Sequence, residues 1–508
     1  MRRIDRFSAF FLAALFTTFA GCAHRHSAPA ATGAAPVSCK VTTQWSNVTA
    51  VSRSTPTLQV VVNPPLRRGS RIHDRVFAAL KSLDCDYVRY VPWLPYPKLA
   101  VAELEPPASG RTSWDFSLID PMMADFMNAT AGHSVVINFS TIPEWMFKTP
   151  HPVPYPSDAN QAEWHYEQGE ALRDPSMKEV AEYYGRLVSW YTKGGFKDQL
   201  GREHASGHHY SIGYWEVLNE VDFEHRMSPQ FYTALYDAIT AAIHRADPRI
   251  KFVGMALADP ARAPQFFDYF LNHKNHRGGA PLDMISYHFY ASPPSDENPN
   301  AWPYTFFDQA NGFLTEVRYI QAIRDRLSPA TKTDIDEIGA ILPNDNVTPR
   351  GPIPHFYWNL CGSLYAYLYG HLASLGVEAV GESQLVGYPS QFPSVSLVNW
   401  STGQPNARYW TLQLLHNHFR PGDKLVETQS SASALYAQGF VTPDGKRELL
   451  LVNLRERAIA VTISGAAGGA EEYVDQTTGE RPPDQARIAG DKLTLGGFGV
   501  AVVTMRNQ

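Results

Sequence analysis

The chain has 508 residues, of which 44 % are hydrophobic, 19 % charged and 12 % aromatic, and its formal charge is −6. That apolar and aromatic content excludes a disordered or collagen-like chain. The mild acidity, with no cluster of Lys and Arg, excludes a partner bound through nucleic-acid phosphates.

The N-terminus reads as an address. Arg2, Arg3 and Arg6 precede FSAFFLAALFTTFA, an apolar run too short to span a bilayer but suited to a secretory signal over residues 1–21. Phe19-Ala20-Gly21-Cys22 resembles a bacterial lipobox, which implies export and lipidation at Cys22, with Phe19 in place of the usual aliphatic residue. Loss of three Arg and one Asp with that leader leaves a charge of −8. Residues 22–40, small, polar and Pro-bearing, form a flexible tether. The expected membrane contact is the lipid anchor alone, and the location periplasmic or cell-surface, with plain secretion as the alternative. With Cys22 acylated, Cys39, Cys85 and Cys361 remain, an odd number whose pairing the sequence does not decide.

Residues 41–421 alternate strand and helix patterns. Strand candidates are TLQVVV (57–62), DYVRYV (86–91), SVVINF (134–139), YSIGYWEVL (210–218), KFVGMAL (251–257), DMISYHFY (283–290), KTDIDEI (332–338) and VEAVGES (377–383). Amphipathic stretches such as HDRVFAALKSL and PQFYTALYDAITAAIHRA lie between them, with apolar residues recurring at three and four. Eight alternations predict a (β/α)₈ TIM barrel, with an open doubly wound sheet as the alternative. From residue 422 to 508, short β-branched segments separated by PDGK, GAAGGA and GERPP predict an all-β, sandwich-like C-terminal domain, to which residues 40–52 could add a strand.

A barrel of this kind carries its chemistry at the C-terminal ends of its strands. Strand four ends in Asn219-Glu220, and strand seven holds Asp334, Asp336 and Glu337. Carboxylates at that density repel one another and lose hydration when a strand packs, which favours a functional role. One carboxylate from each strand can meet across the barrel mouth, as double displacement at a sugar requires.

The order of these parts resembles clan A glycoside hydrolases, and most closely glycoside hydrolase family 39, with its β-xylosidases and α-L-iduronidases: Asn219-Glu220 after strand four, Glu337 ending strand seven, DMISYHFY at strand six and a β-rich domain after the barrel. The resemblance implies Glu220 as acid/base, Glu337 as nucleophile and Arg89 as the strand-two residue that keeps the nucleophile ionised. Asn219 is implied as a partner of the sugar 2-hydroxyl, His288 and Tyr290 as neighbours of the nucleophile or the sugar, and Trp145 as an aromatic platform; Trp93 and Trp215 are further aromatic candidates. The chain has Val221 where the family commonly has Pro. The strand-six loop ASPPSDENPNAWPY contains no Lys or Arg, so a neutral sugar, a β-xyloside or arabinoside within an oligo- or polysaccharide, is expected rather than a uronate.

No cofactor and no metal are expected. His204, His208 and His209 precede strand four, at the end of the barrel away from the site. A non-catalytic carbohydrate-binding barrel and a clan A glycosidase of another family are the competing readings. The oligomeric state is not encoded in any motif.

Overall fold

The structure, a computed structural model, describes residues 37–346 and 351–506. The leader, Cys22 and most of the tether lie outside the described residues. In chain order the elements begin with β1 (Val37–Val51), β2 (Thr55–Val61), α1 (His73–Leu83), β3 (Val88–Val91), α2 (Pro97–Ala100), α3 (Asp120–Ala129) and β4 (Val135–Ile137). They continue with α4 (Lys178–Thr192), the hairpin β5 (Gly195–Lys197) and β6 (Glu203–Ala205), β7 (Tyr214–Glu216), α5 (Pro229–Ala246), β8 (Lys251–Leu257) and α6 (Gln265–Phe270). The barrel ends with β9 (Met284–Ala291), α7 (Trp302–Leu327), β10 (Lys332–Ala340), α8 (Phe356–Ser374), β11 (Ala379–Glu382) and α9 (Ala407–His418).

Eight strands close a parallel barrel in the order β10-β11-β2-β3-β4-β7-β8-β9, one at each of the eight strand positions expected from sequence. The strands are buried along most of their lengths because helices cover the barrel and side chains fill its interior. Helix α5 shows how the local code works: Ser228 caps its first turn by accepting from the Phe231 amide, and Pro229 follows where no amide partner is needed.

The remaining strands are β12 (Lys424–Ser430), β13 (Leu435–Val441), β14 (Arg447–Asn453), β15 (Ile459–Ile463), β16 (Ala470–Val474), β17 (Asp484–Arg487), β18 (Lys492–Leu495) and β19 (Val500–Thr504). With β1 they form a nine-stranded sheet ordered β17-β16-β19-β14-β13-β12-β1-β15-β18. This corrects one boundary. Residues 37–51 extend the C-terminal sheet, antiparallel to β12 and parallel to β15, so the barrel starts at β2 and the tether ends before residue 37.

Period-two alternation divides the sheet's faces. On β14, Leu450 and Val452 join the large core shared with the barrel helices, while Leu449 and Leu451 join the domain's own core with Val41, Val461 and Val503. Helix α8 is accordingly buried nearly all round, lying between the barrel and this sheet. At Gly370 a β-carbon would lie 2.5 Å from the Tyr436 hydroxyl, so only glycine lets helix and sheet approach this closely. Cys39, Cys85 and Cys361 are each buried and unbridged.

Candidate active site

Strand ends β2, β3, β7, β9, β10 and β11 converge on a cavity of about 400 Å³. At its base Arg89, on β3, is fully buried. Its guanidinium donates to Gln59 Oε1 at 2.8 Å, Glu216 Oε2 at 2.5 Å, Asn219 Oδ1 at 2.7 Å and Glu337 Oε1 at 2.6 Å, and lies 3.0 Å from Asp336 Oδ2. Charge-assisted bonds of this kind outweigh neutral ones, and here they fix one carboxylate oxygen of Glu337.

The other Glu337 oxygen accepts from Tyr290 Oη at 2.5 Å, and that hydroxyl is also 2.6 Å from Ser383 Oγ. Gly339 makes room for this arrangement, since a β-carbon there would fall 3.1 Å from the Tyr290 ring. His288 Nδ1 is 3.0 Å from Glu220 Oε1 and 3.6 Å from Glu337 Oε2, while Nε2 is 3.5 Å from Asp336. One oxygen each of Glu220 and Glu337, with a ring nitrogen of His288, lie within 4.8 Å of one another.

Glu220 reaches this position through unusual backbone. Leu218 and Glu220 have φ of 65° and 43°, in the left-handed region that non-glycine residues rarely adopt, and the Glu220 amide donates to Ala256 O at 2.8 Å. The turn directs the carboxyl into the cavity.

The two carboxyls sit in opposed electrostatic settings. Burial pushes Glu220 up, only partly offset by its bond to His288, and the charge of Glu337 adds to the rise. Burial also acts against the charged form of Glu337, but His288, Arg89 and the Tyr290 hydroxyl outweigh it and hold Glu337 below the ordinary carboxylate value. For His288 the burial penalty is overcome by Glu337, Asp336 and Glu220, which push the imidazole up to about 10. Beneath them, Glu216 stays ionised against its burial because Arg89 faces it, whereas burial dominates at Asp336 and raises it well above the usual range.

Asn219 lines the cavity, but its amide is already engaged: Oδ1 with Arg89, and Nδ2 donating to Glu224 Oε1 at 2.9 Å. Glu224 also accepts from Trp93 Nε1 at 2.6 Å, so one carboxyl holds both Asn219 and a wall of the cavity. That wall is aromatic. Trp93 packs edge-on to Trp164 at 5.3 Å and stacks with Phe392 at 6.2 Å, and all three line the cavity, with the exposed Phe223 at its mouth.

Thus Glu220, Glu337, Asn219, Arg89, His288 and Tyr290 are brought together, and Trp145 is not. Trp145 is buried, donates Nε1 to Glu103 O at 2.8 Å and lies under the Arg173 guanidinium at 4.4 Å, outside the cavity lining. Its ring is apolar body that the protein itself covers, whereas Trp93 and Trp164 line the cavity. Trp215 is core. Glu216, Gln59, Ser383, Trp164 and Phe392 were not legible as site residues; for Glu216 a signal existed, a carboxylate alternating with Leu218 on an otherwise apolar strand. His204 and His208 pair separately with Asp198 and Asp120, each at 3.2 Å.

Residues 432–503 match the family described as D-apionate lactonase, C-terminal immunoglobulin-like domain. No curated protein matches the chain in sequence. Among solved structures the chain is similar to a GH51 arabinofuranosidase from Xanthomonas axonopodis pv. citri, at 13 % identity and a TM-score of 0.64 over 92 % of this chain and 100 % of that one. It is also similar to an α-L-arabinofuranosidase from Thermotoga maritima in complex with arabinose, at 14 % identity and a TM-score of 0.60 over 92 % and 100 %. A GH30 endoxylanase from Clostridium papyrosolvens C71 aligns at 13 % identity and a TM-score of 0.56 over 92 % and 100 %. At these identities the likeness establishes the fold: a TIM barrel followed by a β-sandwich-like domain.

Proposed function

We propose that the protein is a retaining glycoside hydrolase acting on a neutral sugar, an arabinoside or β-xyloside. The observation that carries this reading is the carboxyl pair: Glu220 and Glu337 present oxygens within 4.8 Å of each other over an open cavity, with burial pushing Glu220 up and His288 and Arg89 holding Glu337 down. Retaining glycosidases need a separation of about 5–5.5 Å, and inverting ones about 6.5–9.5 Å.

In this mechanism Glu337 attacks the anomeric carbon while Glu220 protonates the leaving oxygen, giving a covalent glycosyl-enzyme. Esterification of Glu337 removes its negative charge, which lowers Glu220's hold on its proton and lets it act as base toward water. Asn219 retains one N–H for a sugar hydroxyl, since an amide nitrogen carries two donors and Glu224 uses one. Trp93 and Trp164 suit the apolar face of a sugar ring.

The neutral-sugar preference is supported by the state of the one Lys or Arg that lines the cavity among the described residues. Arg262 lines the cavity but is paired with Asp259 at 3.0 Å and largely exposed, a poor arrangement for a sugar carboxylate. The arabinofuranosidases and the xylanase among the structural neighbours fit the same preference. Export and anchoring through Cys22 would place the enzyme where such polysaccharide fragments occur.

A second reading, hydrolysis of a sugar lactone, is favoured by the match of residues 432–503 alone. Among the described residues, none that lines the cavity falls in that range.

The test is a panel of nitrophenyl glycosides and aldonolactones with the wild type, Glu220→Ala and Glu337→Ala, with and without azide. The expected outcome is loss of glycoside turnover in both variants. Azide then restores it with an inverted glycosyl azide from Glu337→Ala and a retained one from Glu220→Ala. Full activity in either variant overturns the assignment, and turnover of lactones alone favours the second reading.

A further inference from the structure

A second cluster of ionisable groups lies behind the aromatic wall and takes no part in the proposed chemistry. Glu167 comes from the long loop between β4 and α4, and Glu224 and His225 from the loop between β7 and α5. One ligand atom of each lies within 4.8 Å of the others. Glu167 and His225 are 3 % and 1 % exposed, so neither is served by bulk water.

Hydrogen bonding does not account for the arrangement. Glu167 Oε2 and His225 Nε2 are 3.2 Å apart, yet neither atom makes a hydrogen bond, and Glu167 Oε1 and Glu224 Oε2 are also unpartnered. Among the described residues no Lys or Arg pairs with Glu167 or Glu224. Leaving buried carboxylate oxygens unpaired costs several kcal/mol unless something neutralises them. Two ligands, each about 2.0–2.1 Å from a tetrahedral zinc, stand about 3.3 Å apart. The other ring nitrogen of His225, Nδ1, is likewise buried without a hydrogen-bond partner.

We propose that Glu167, Glu224 and His225 form a divalent transition-metal site of the zinc or manganese class. Two carboxylates match the charge of such an ion, and the imidazole nitrogen disfavours calcium and magnesium, which take oxygen ligands. The sequence hides the site because Glu167 is contributed by a different loop from the adjacent pair Glu224-His225. The ion ties together two loops that build the cavity: the first carries Trp164, and Glu224 in the second holds Trp93 and Asn219. Its role is structural support for that wall, and the double displacement does not pass through it.

The full chain, stripped with EDTA and dialysed, is titrated calorimetrically with ZnCl₂ and with MnCl₂, and its metal content measured by plasma mass spectrometry. One equivalent of one of these ions is expected to bind, with a rise in Tm on loading and at least a tenfold loss of affinity in Glu167→Gln and His225→Ala. Binding is expected to persist in Glu337→Gln, which separates this cluster from the Glu220, His288 and Glu337 group. Should either variant unfold, X-ray absorption on loaded wild type and loaded Glu337→Gln decides the matter, with an imidazole nitrogen in the shell of both. Failure of the wild type to bind a stoichiometric ion, binding unchanged in both loop variants, or loss of binding in Glu337→Gln would each overturn the proposal. All of these readouts are independent of turnover, so they stand apart from the glycosidase assignment.

Discussion

His288 faces both carboxyls at once, and that shared position sets the pH behaviour of the site. In the proposed mechanism Glu220 must be protonated, and its pKa is raised, so activity is expected to be lost as pH climbs through that raised value. Glu337, the proposed nucleophile, must be ionised, and its pKa is lowered, so activity is expected to be lost as pH falls through that lowered value. The kcat/KM profile is therefore expected to be bell-shaped, with its plateau bracketing the ordinary carboxylate range. Glu220→Gln, measured with an aryl glycoside whose leaving group needs no proton, should lose the alkaline limb and keep the acidic one. The polar half of this site was legible because Asn219-Glu220 follows an apolar strand and Glu337 belongs to a run of three carboxylates on a strand that packs. Of the aromatic candidates Trp93 lines the cavity and Trp145 does not, since composition marks a tryptophan without revealing whether its ring faces a cavity or, like Trp145, lies beneath an arginine.

At the scale of elements, β11 and α9 are joined by a second fully buried ion pair, Arg408 Nε to Glu382 Oε1 at 2.8 Å, with the same guanidinium bonded to the Ser383 carbonyl. Ser383 in turn shares its hydroxyl with Tyr290 and accepts from Gln59. Removing one partner of a buried pair strands the other, a loss of about 3–5 kcal/mol. Arg408→Met should lower stability by that order in urea unfolding, and the double variant Arg408→Met/Glu382→Leu should recover a large part of it. The eight barrel strands could be located in advance because burial on both faces writes itself as short β-branched runs between helical periods. The placement of β1 could not be fixed in that way. A strand's partners are set by register with distant residues, here Val41 with Ser430 and with Ile463, and no local pattern reports them.

Across the described residues, one face of the sheet shares the barrel's core, while the other face has a core of its own. Phe419 packs on Phe440 at 4.3 Å, Tyr367 on Tyr436 at 5.3 Å, and Leu450, Val452, Val500 and Val502 complete the cover over α8 and α9. A chain ending after residue 421 would leave those helices with a large apolar face, so it should be recovered as aggregate, or bind a hydrophobic dye strongly, where the full chain does neither. The pairing of β1 adds an order of events to this economy of surface. Cys39 meets Ser430 across a separation of 391 residues, and at roughly 5–20 residues per second the ribosome needs on the order of 20–80 s to deliver that partner. β1, the earliest strand among the described residues, must wait, edge uncovered, through the synthesis of the entire barrel, and a holdase that shields nascent edges should matter more to the yield of this protein than one that acts on the released chain.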